Sequence, residues 1–293
     1  MRDFVFILLQ HLTPQQLLSR LIGRLAECRN AWLKNWFIKK FIDIYGVNMA
    51  EAEREDPSTY INFNDFFCRT LKDGMRPLCE AKNQIASPAD GAFSQQGQID
   101  KGRIFQAKGR DFSATELLGG DEATAQEFSE GSFATIYLSP KDYHRLHMPL
   151  DGTLVSMTHI PGDLFSVNPT TTENVPRLFA RNERLACIFE TSIGPVALVL
   201  VGAMIVASIE TVWAGQVAPA GKRIRSERYK DVQDIVLKKG DEMGRFKLGS
   251  TIVMLFPKNA IEWKENIEPN AKVRLGEFIA TTVSPDDTTN KNQ

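Results

Sequence analysis

The apolar pattern of the chain changes near residue 86, and this change most constrains the fold. Beyond it lie short β-rich runs punctuated by glycines, at residues 132–138, 185–191, 196–201, 204–209 and 251–256. No long helical pattern separates these runs, whereas parallel strands need crossover connections of a dozen or more residues. The sequence therefore predicts an α+β protein with amphipathic N-terminal helices and a mainly antiparallel β core that carries short helices.

Two helical patterns precede the change. Thr13 and Pro14 indicate a helix start, with Thr13 as the predicted N-cap and Pro14 as the first helical residue, and apolar residues then recur at helical spacing as far as Leu25. A second helix is expected to start after Asn30 and to end at Gly46. A short third helix is predicted over residues 64–71.

Charge is unevenly distributed along the chain. The whole sequence has 35 Lys and Arg against 36 Asp and Glu, but residues 1–50 hold seven basic residues and only three acidic ones. A basic, aromatic, helix-patterned end is typical of a segment that lies on a membrane surface, although the same stripe could pack on the core. The candidates for membrane contact are Trp32, Trp36, Phe37, Lys39, Lys40 and Phe41.

Other classes of protein are disfavoured. The apolar run at 193–209 is interrupted by Pro195 and Gly202 and is rich in Val and Ile, which favours buried β-structure over a membrane span. The apolar run at 4–9 is short for a signal peptide. The four cysteines form no Cys-x-x-Cys pair, so no metal site is expected, and they fit a reducing compartment. No nucleic-acid partner is expected either.

Three short segments carry side chains suited to chemistry. Residues 87–91 hold Asp90 among turn formers, which by themselves favour a plain turn. Residues 143–149 hold His144 and His147, whose side chains point apart on a strand and have no third ligand nearby, so a metal pair is disfavoured. Residues 247–251 place Ser250 at the head of an apolar strand without the flanking glycines of a nucleophile elbow. Spacing alone offers an Asp–His–Ser constellation of unknown geometry.

These three segments belong to a longer ordered series. Its members are residues 64–72, 87–91, 143–149, 161–168, 174–184, 201–206, 209–213 and 243–251. The series resembles the bacterial phosphatidylserine decarboxylase family, and the matches appear in family order from about residue 60 to 256. Residues 214–238 and the tail after about 280 match no motif of that family.

The resemblance implies an enzyme that makes its own cofactor. The Ser250 hydroxyl would attack the carbonyl carbon of Gly249, and the ester formed would undergo β-elimination. Hydrolysis would then leave a pyruvoyl group at residue 250, with a β chain of residues 1–249 and an α chain of residues 250–293. His147 corresponds to the base that activates Ser250, and Asp90 to the carboxylate that orients this base.

The resemblance also implies the conversion of phosphatidylserine to phosphatidylethanolamine and CO₂, through a Schiff base between the substrate amine and the pyruvoyl group. His144 corresponds to the residue that assists decarboxylation and protonation. The expected lining of the substrate end consists of Phe165, Ser166, Val167 and Asn168. A lipid substrate implies a peripheral enzyme on the cytoplasmic face of the cell membrane, bound to anionic lipids. The family further implies that the pair of cleavage fragments dimerises.

Three regions are therefore predicted: a helical membrane-associating region at 1–75, a catalytic core at 76–282 and a flexible tail at 283–293. Two other functions stay open on the residues alone. One is a lipid hydrolase that uses an Asp–His–Ser triad at the membrane surface with an uncut chain. The other is a non-enzymatic membrane adaptor that uses only residues 1–46. Neither explains the ordered series of segments in the core.

Overall fold

A computed structural model describes residues 2–204, 208–230, 232–247 and 250–283. The helices in that part of the chain are α1 (Arg2–Leu12), α2 (Gln15–Ala26), α3 (Ala31–Tyr45), α4 (Phe63–Phe67), α5 (Ala114–Leu117), α6 (Glu122–Gln126), α7 (Pro169–Asn174) and α8 (Leu178–Arg181). Single turns of 3₁₀-helix cover Met49–Glu51 and Pro57–Thr59.

Eighteen short strands follow α4 in the described residues. They are β1 (Gln84–Ala86), β2 (Gly91–Gln98), β3 (Arg103–Ala107), β4 (Arg110–Ser113), β5 (Ser132–Leu138), β6 (Arg145–His147), β7 (Gly152–Ile160), β8 (Arg184–Thr191), β9 (Gly194–Val201), β10 (Ser208–Thr211), β11 (Gly215–Ala218), β12 (Arg225–Arg228), β13 (Val236–Leu237), β14 (Glu242–Lys247), β15 (Ser250–Phe256), β16 (Ile261–Trp263), β17 (Lys272–Val273) and β18 (Phe278–Thr282).

The strands form one large sheet and three smaller ones. The large sheet has the order β12-β7-β8-β9-β15-β5-β2-β17, with β13 also paired to β7. The smaller sheets have the orders β11-β10-β14-β6, β1-β18-β16 and β3-β4. Neighbouring strands pair antiparallel throughout these sheets, which confirms the predicted α+β class.

Strand β15 lies at the centre of the large sheet. It is hydrogen-bonded to β5 on one side and to β9 on the other, and every one of its residues is buried. Its first residue, Ser250, lies opposite Leu138, and the next, Thr251, lies opposite both Tyr137 and Val201. Both faces of this strand are covered, which explains why its sequence is a continuous apolar run.

A second, smaller core joins the N-terminal helices to the body. Its fully buried side chains come from α2, α3, α4 and the segments between them: Ala26, Ile38, Val47, Tyr60, Phe63, Phe66 and Phe67. The ring of Phe41 packs on Phe63, Phe66 and Phe67 with centroid distances of 5.0, 6.0 and 5.9 Å. One face of α3 is therefore held by aromatic packing rather than left free.

The helix boundaries were predicted with mixed success. Helix α3 is confirmed: the Asn30 side chain accepts a hydrogen bond from the backbone N–H of Leu33, and Gly46 ends the helix with φ +67°. The predicted N-cap of α2 is wrong, because the Thr13 hydroxyl donates back to Leu9 and Pro14 takes the cap position. The third helix, α4, ends at Phe67 and is shorter than the predicted span of 64–71.

The strand boundaries were predicted more accurately than the helix boundaries. Strand β5 has the predicted bounds, and β8, β9 and β15 match theirs to within two residues. Part of the run predicted at 204–209 lies outside the described residues, and β10 covers Ser208–Thr211. Helix α1 was not predicted as a helix.

None of the helices in the described residues is long and apolar enough to cross a membrane. The division at residue 75 stays a prediction. The predicted tail lies outside the described residues apart from Val283.

Candidate active site

Ser250 is fully buried at the head of the central strand β15. Its relative accessibility is 0%, and its Oγ has no hydrogen-bond partner among the described residues. A buried hydroxyl normally finds a partner, so one without a partner calls for an explanation. Gly249, the predicted cleavage partner of Ser250, lies outside the described residues.

His144 is the second fully buried polar group at this end of the sheet. Its Nε2 lies 3.1 Å from the carbonyl oxygen of Ser139, the residue that follows Leu138, which lies opposite Ser250. A carbonyl can only accept, so Nε2 carries the proton and Nδ1 of the neutral ring holds a lone pair. This Nδ1 is buried and has no partner among the described residues. Ser250 and His144 therefore both lie at this end of the sheet, and each has one buried polar atom without a partner among the described residues.

Two residues of the segment after α4 hold His144 in place. The ring of Phe67 stacks on the imidazole at a centroid distance of 4.0 Å. The Arg69 guanidinium, 4% exposed, donates from Nη2 to the carbonyl oxygen of Lys141 at 3.0 Å, within the loop that ends at His144. Burial lowers the pKa of His144 to about 3, and the charge of Arg69 adds to this shift. His144 is therefore a neutral imidazole at physiological pH.

His147 is oriented by two other groups. Its Nδ1 donates to the carbonyl oxygen of Gly240 at 2.8 Å, so Nε2 holds the lone pair and accepts from the Tyr143 hydroxyl at 3.2 Å. Gly240 has φ +90°, a conformation that favours glycine, and this turn aims its carbonyl at the ring. Burial also lowers the pKa of His147. In the strand register His147 lies opposite Glu242, at the far end of β14 from Ser250.

Asp90 is held by contacts that spacing did not suggest. Its carboxylate accepts from Nε and Nη2 of Arg76 at 2.8 and 2.6 Å, and from the backbone N–H of Leu275 at 2.9 Å. Arg76 also donates to Glu51 at 2.7 Å. Within the described residues, Asp90 and His147 share no direct hydrogen bond.

The structure nevertheless brings Asp90 and His147 into one neighbourhood. Asp90 lines a cavity of about 470 Å³, and His147 lines an adjoining cavity of about 460 Å³. Arg76 and Tyr143 line both. The backbone N–H of His147 also donates to the carbonyl oxygen of Pro88, two residues before Asp90.

The predicted substrate-lining segment lies at the same end of the sheet as Ser250. The side-chain oxygen of Asn182 accepts from the backbone N–H of Phe165, and its amide nitrogen donates to the carbonyl oxygens of Phe165 and Gly202. Gly202 follows Val201, which lies opposite Thr251.

The four side chains of that segment are exposed to different extents. Phe165 and Val167 are buried, whereas Ser166 and Asn168 are half-buried. The Asn168 side chain caps α7 by accepting from the backbone N–H of Thr171.

The six membrane candidates also differ in exposure. Trp32 and Trp36 are 77% and 53% exposed. Lys39 and Lys40 are exposed as well. Phe37 and Phe41 are half-buried and pack on Phe63, in tilted and edge-to-face arrangements, at centroid distances of 4.5 and 5.0 Å.

Sequence reasoning missed the residues that orient the site. Arg69 lies within residues 64–72 of the ordered series, but the sequence predicts no role for it, nor for Arg76 or Gly240. The signal was weak: Arg76 is a lone arginine, and Gly240 resembles any turn glycine. In the part of the chain that is described, no group of three or more His, Cys, Asp or Glu is arranged to hold a metal ion.

Ser250 and the buried His144 lie at one end of the central sheet, while the half-buried His147 and the paired Asp90 line adjoining cavities. This combination of a serine, two imidazoles and a carboxylate defines an enzyme site on an antiparallel α+β body. The family model of phosphatidylserine decarboxylase matches residues 63–281, and a second model, described as PSD, matches residues 5–46. The chain belongs to the phosphatidylserine decarboxylase family.

Curated relatives agree over nearly the full length. The chain is 60% identical over 277 residues to the phosphatidylserine decarboxylase proenzyme of Hahella chejuensis, a match that covers 94% of this chain and 93% of the relative. It is 58% identical over 280 residues to the proenzyme of the same name from Saccharophagus degradans, covering 96% and 98%. The corresponding protein of Azotobacter vinelandii is 56% identical over 281 residues, covering 95% and 98%.

Proposed function

We propose that this chain cuts itself between Gly249 and Ser250 and then decarboxylates phosphatidylserine to phosphatidylethanolamine and CO₂. The observation that carries the proposal is the buried Ser250 hydroxyl at the head of β15, which has no partner among the described residues, in a chain of this family. A hydroxyl that is held away from water and from competing hydrogen bonds is available to react with the adjacent peptide.

The cleavage step balances within the chain. Ser250 Oγ loses its proton to a base and attacks the carbonyl carbon of Gly249, and the C–N bond breaks to give an ester and a free amine. β-Elimination then breaks the Cβ–O bond, which releases residues 1–249 with a terminal carboxylate and leaves dehydroalanine at 250. Water hydrolyses the corresponding imine to a pyruvoyl group and ammonia.

His147 is the proposed base for that step. Its Nδ1–H is fixed on Gly240, so Nε2 is the atom that can take a proton. The Tyr143 hydroxyl occupies Nε2 at 3.2 Å and has to turn away before the transfer. Asp90 is proposed to favour the protonated imidazole by its charge across the adjoining cavities, while Arg76 holds its carboxylate in place.

The residues around Ser250 also fit a pyruvoyl group derived from it. Such a carbonyl supplies an electron sink for the loss of CO₂ from an amine substrate. The buried setting excludes water, and no described side chain forms a hydrogen bond with Ser250 Oγ. His144, neutral and stacked on Phe67, offers Nδ1 as the atom that would accept the proton lost by the substrate ammonium and return it to the substrate carbon after CO₂ leaves. Phe165 to Asn168 are proposed to line the substrate end.

The lipid substrate is proposed to be reached from the membrane surface. Trp32 and Trp36 present exposed indoles beside the exposed Lys39 and Lys40, a combination suited to an interface with anionic head groups. We place the protein on the cytoplasmic face of the cell membrane, as a dimer of two-fragment units, with residues 1–75 as the membrane-associating region and residues 76–282 as the catalytic core.

Intact-mass analysis tests the proposal. Active protein should contain two fragments, residues 1–249 and 250–293, with no free amine at residue 250. Ser250→Ala should remain one chain and should release no CO₂ from phosphatidylserine vesicles. A single uncut chain in an active preparation would overturn the proposal. Labelling of Ser250 by a fluorophosphonate in that uncut chain would point instead to a hydrolase, and vesicle binding without CO₂ release to an adaptor.

The same assay distinguishes the roles of the two histidines. His147→Ala should stay uncut, whereas His144→Ala should cut but turn over substrate poorly. Equal loss of cleavage in both variants would contradict this division of roles. That comparison is informative because His144 contacts Ser139, at the end of the sheet where Ser250 lies. His147 does not lie at that end.

A further inference from the structure

Two glutamine side chains tie the N-terminal helices to the predicted substrate segment. Gln10, near the end of α1, accepts at Oε1 from the backbone N–H of Ser166 at 2.8 Å. Gln15, at the start of α2, accepts at Oε1 from the backbone N–H of Leu164 at 2.7 Å. The Gln15 amide nitrogen donates to the carbonyl oxygen of Gln10 at 2.9 Å, which links both helices. We call these three hydrogen bonds the glutamine strap.

Packing around the strap fixes the residue between its two anchor points. The ring of Phe165 lies 4.8 Å from the His11 ring on one side and 4.8 Å beneath the Arg181 guanidinium. Arg181 is itself paired with Asp163 at 2.9 Å. A cavity of about 410 Å³ opens at this elbow between α1 and α2.

The same segment is connected to the head of β15. Phe165 is bound through both backbone groups by Asn182, whose amide also donates to Gly202. Gly202 follows Val201, the neighbour of Thr251 across the sheet. Hydrogen bonds and short covalent steps along the chain therefore connect the elbow of the helices to Val201, the strand neighbour of Thr251.

The helices present apolar side chains to solvent along both arms of this elbow. The exposed ones are Phe6 at 40%, Leu8 at 46%, Leu9 at 57%, Leu17 at 56%, Leu21 at 53% and Leu25 at 42%. Arg20 and Arg24 are exposed on α2 beside them. Apolar and basic side chains on one helix suit a lipid surface.

We infer that Gln10 and Gln15 are positioning residues. They fix residues 164–166, which form the mouth through which the lipid substrate passes from the bilayer to Ser250. The inference rests on the proposed function, since it needs a lipid substrate. The docked elbow holds residues 164–166 at the mouth, so the head group enters beside Phe165 while its acyl chains stay with the exposed leucines. The backbone N–H groups of Leu164 and Ser166 can only donate, so each needs the acceptor oxygen that a glutamine side chain supplies.

The test compares cleavage, vesicle binding and turnover in one set of variants. Gln10→Met keeps the shape of the side chain and removes the acceptor. It should lower kcat/KM on vesicles of phosphatidylserine and phosphatidylcholine about tenfold or more, because a loosened mouth misplaces the head group. Cleavage at 249/250 and co-sedimentation with vesicles should stay at the wild-type level, because neither uses the mouth.

Gln10→Glu is the rescue variant. It retains an acceptor oxygen, and the Gln10 amide nitrogen has no partner among the described residues, so no hydrogen bond is lost. Because Gln10 is only 4% exposed, burial favours the neutral, protonated form of the new carboxyl group, which still accepts. Its kcat/KM should stay within about threefold of wild type. Gln16→Met is the matched control, since Gln16 is exposed on α2 next to Gln15 and outside the strap, and it should behave as wild type.

Three outcomes would overturn the inference. Gln10→Met could turn over lipid like wild type, it could lose cleavage in parallel with turnover, or Gln10→Glu could fail as badly as Gln10→Met. The second and third would make the strap a structural tie only. A wild-type chain that is uncut and inactive would instead refute the proposed function, so the two failures are distinguishable.

Discussion

The carboxylate of Asp90 and the guanidinium of Arg76 form a two-point ion pair, with N–O distances of 2.8 and 2.6 Å. The side chains are only 8% and 9% exposed. Planar guanidinium and carboxylate groups match in this geometry, which fixes orientation as well as charge. Arg76, in the same proposed fragment, therefore fixes the Asp90 carboxylate. The backbone N–H of Leu275, in the other proposed fragment, also donates to it.

Removing the arginine should leave a buried charge alone. In a Ser250→Ala background, Arg76→Met is expected to lower the free energy of unfolding by about 3–5 kcal/mol, measured by urea denaturation. The double variant Arg76→Met with Asp90→Asn should recover part of that loss, because the Asp90 charge is removed together with its partner, although Glu51 still loses its own bond to Arg76. Equal stability of the single variant and its parent would contradict a buried pair.

The turn at Gly240 should matter for cleavage through His147. In Gly240→Ala, the added Cβ would lie 2.9 Å from a Leu78 methyl group at a φ that L-residues avoid, so the carbonyl that binds Nδ1 must shift. Cleavage is expected to slow about tenfold, followed as the appearance of the 1–249 fragment over time. Gly221→Ala is the control: it has φ +100° with open space around it, so it adds backbone strain without touching His147.

The two fragments should stay together after cleavage. Strand β15 lies between β5 and β9 with every residue buried, and β18 lies between β1 and β16. Native mass spectrometry should find both fragments in one particle, and a denaturing gel should separate them. Loss of residues 250–293 under native conditions would contradict this expectation.

Stability should depend on pH through His144. Burial lowers its pKa to about 3, whereas an unfolded histidine titrates near about 6.5. Between these values the unfolded chain binds more protons at this residue, so stability falls as the pH falls below about 6.5. In a Ser250→Ala background, His144→Gln should reduce that slope by up to about 1.4 kcal/mol per pH unit, measured by urea denaturation at several pH values. An unchanged slope would count against a neutral buried imidazole.

The aromatic residues of α3 should divide into two groups. Trp32→Ala and Trp36→Ala should weaken co-sedimentation with anionic vesicles and leave the melting temperature unchanged, because both indoles are exposed. Phe41→Ala should lower the melting temperature, because it removes packing on Phe63, Phe66 and Phe67.

The two lysines on α3 offer an electrostatic test of the same surface. Lys39→Gln and Lys40→Gln should each weaken vesicle binding about fivefold at low salt, since a basic residue near an anionic surface contributes about 1 kcal/mol. Higher salt should diminish the effect. Salt-independent binding would contradict an anionic-lipid surface.

The sequence by itself determined what local patterns encode. The bounds of α3 follow from Asn30 and Gly46, because a side-chain cap and a left-handed terminator act within one turn of the helix. Strand β5 and the buried run of β15 follow from short apolar stretches between turn residues. The ordered segments also identified the family, which the matches over residues 63–281 confirmed.

Only the tertiary structure decided how the site is held. Arg76 meets Asp90 across 14 residues of chain, Gly240 meets His147 across 93, and Gln15 meets Leu164 across 149. Each contact joins two individual residues, and a single polar residue leaves no periodic signal in a sequence. Such pairs exist only because apolar burial folds the sheets and helices together and brings these groups within hydrogen-bonding distance, away from water.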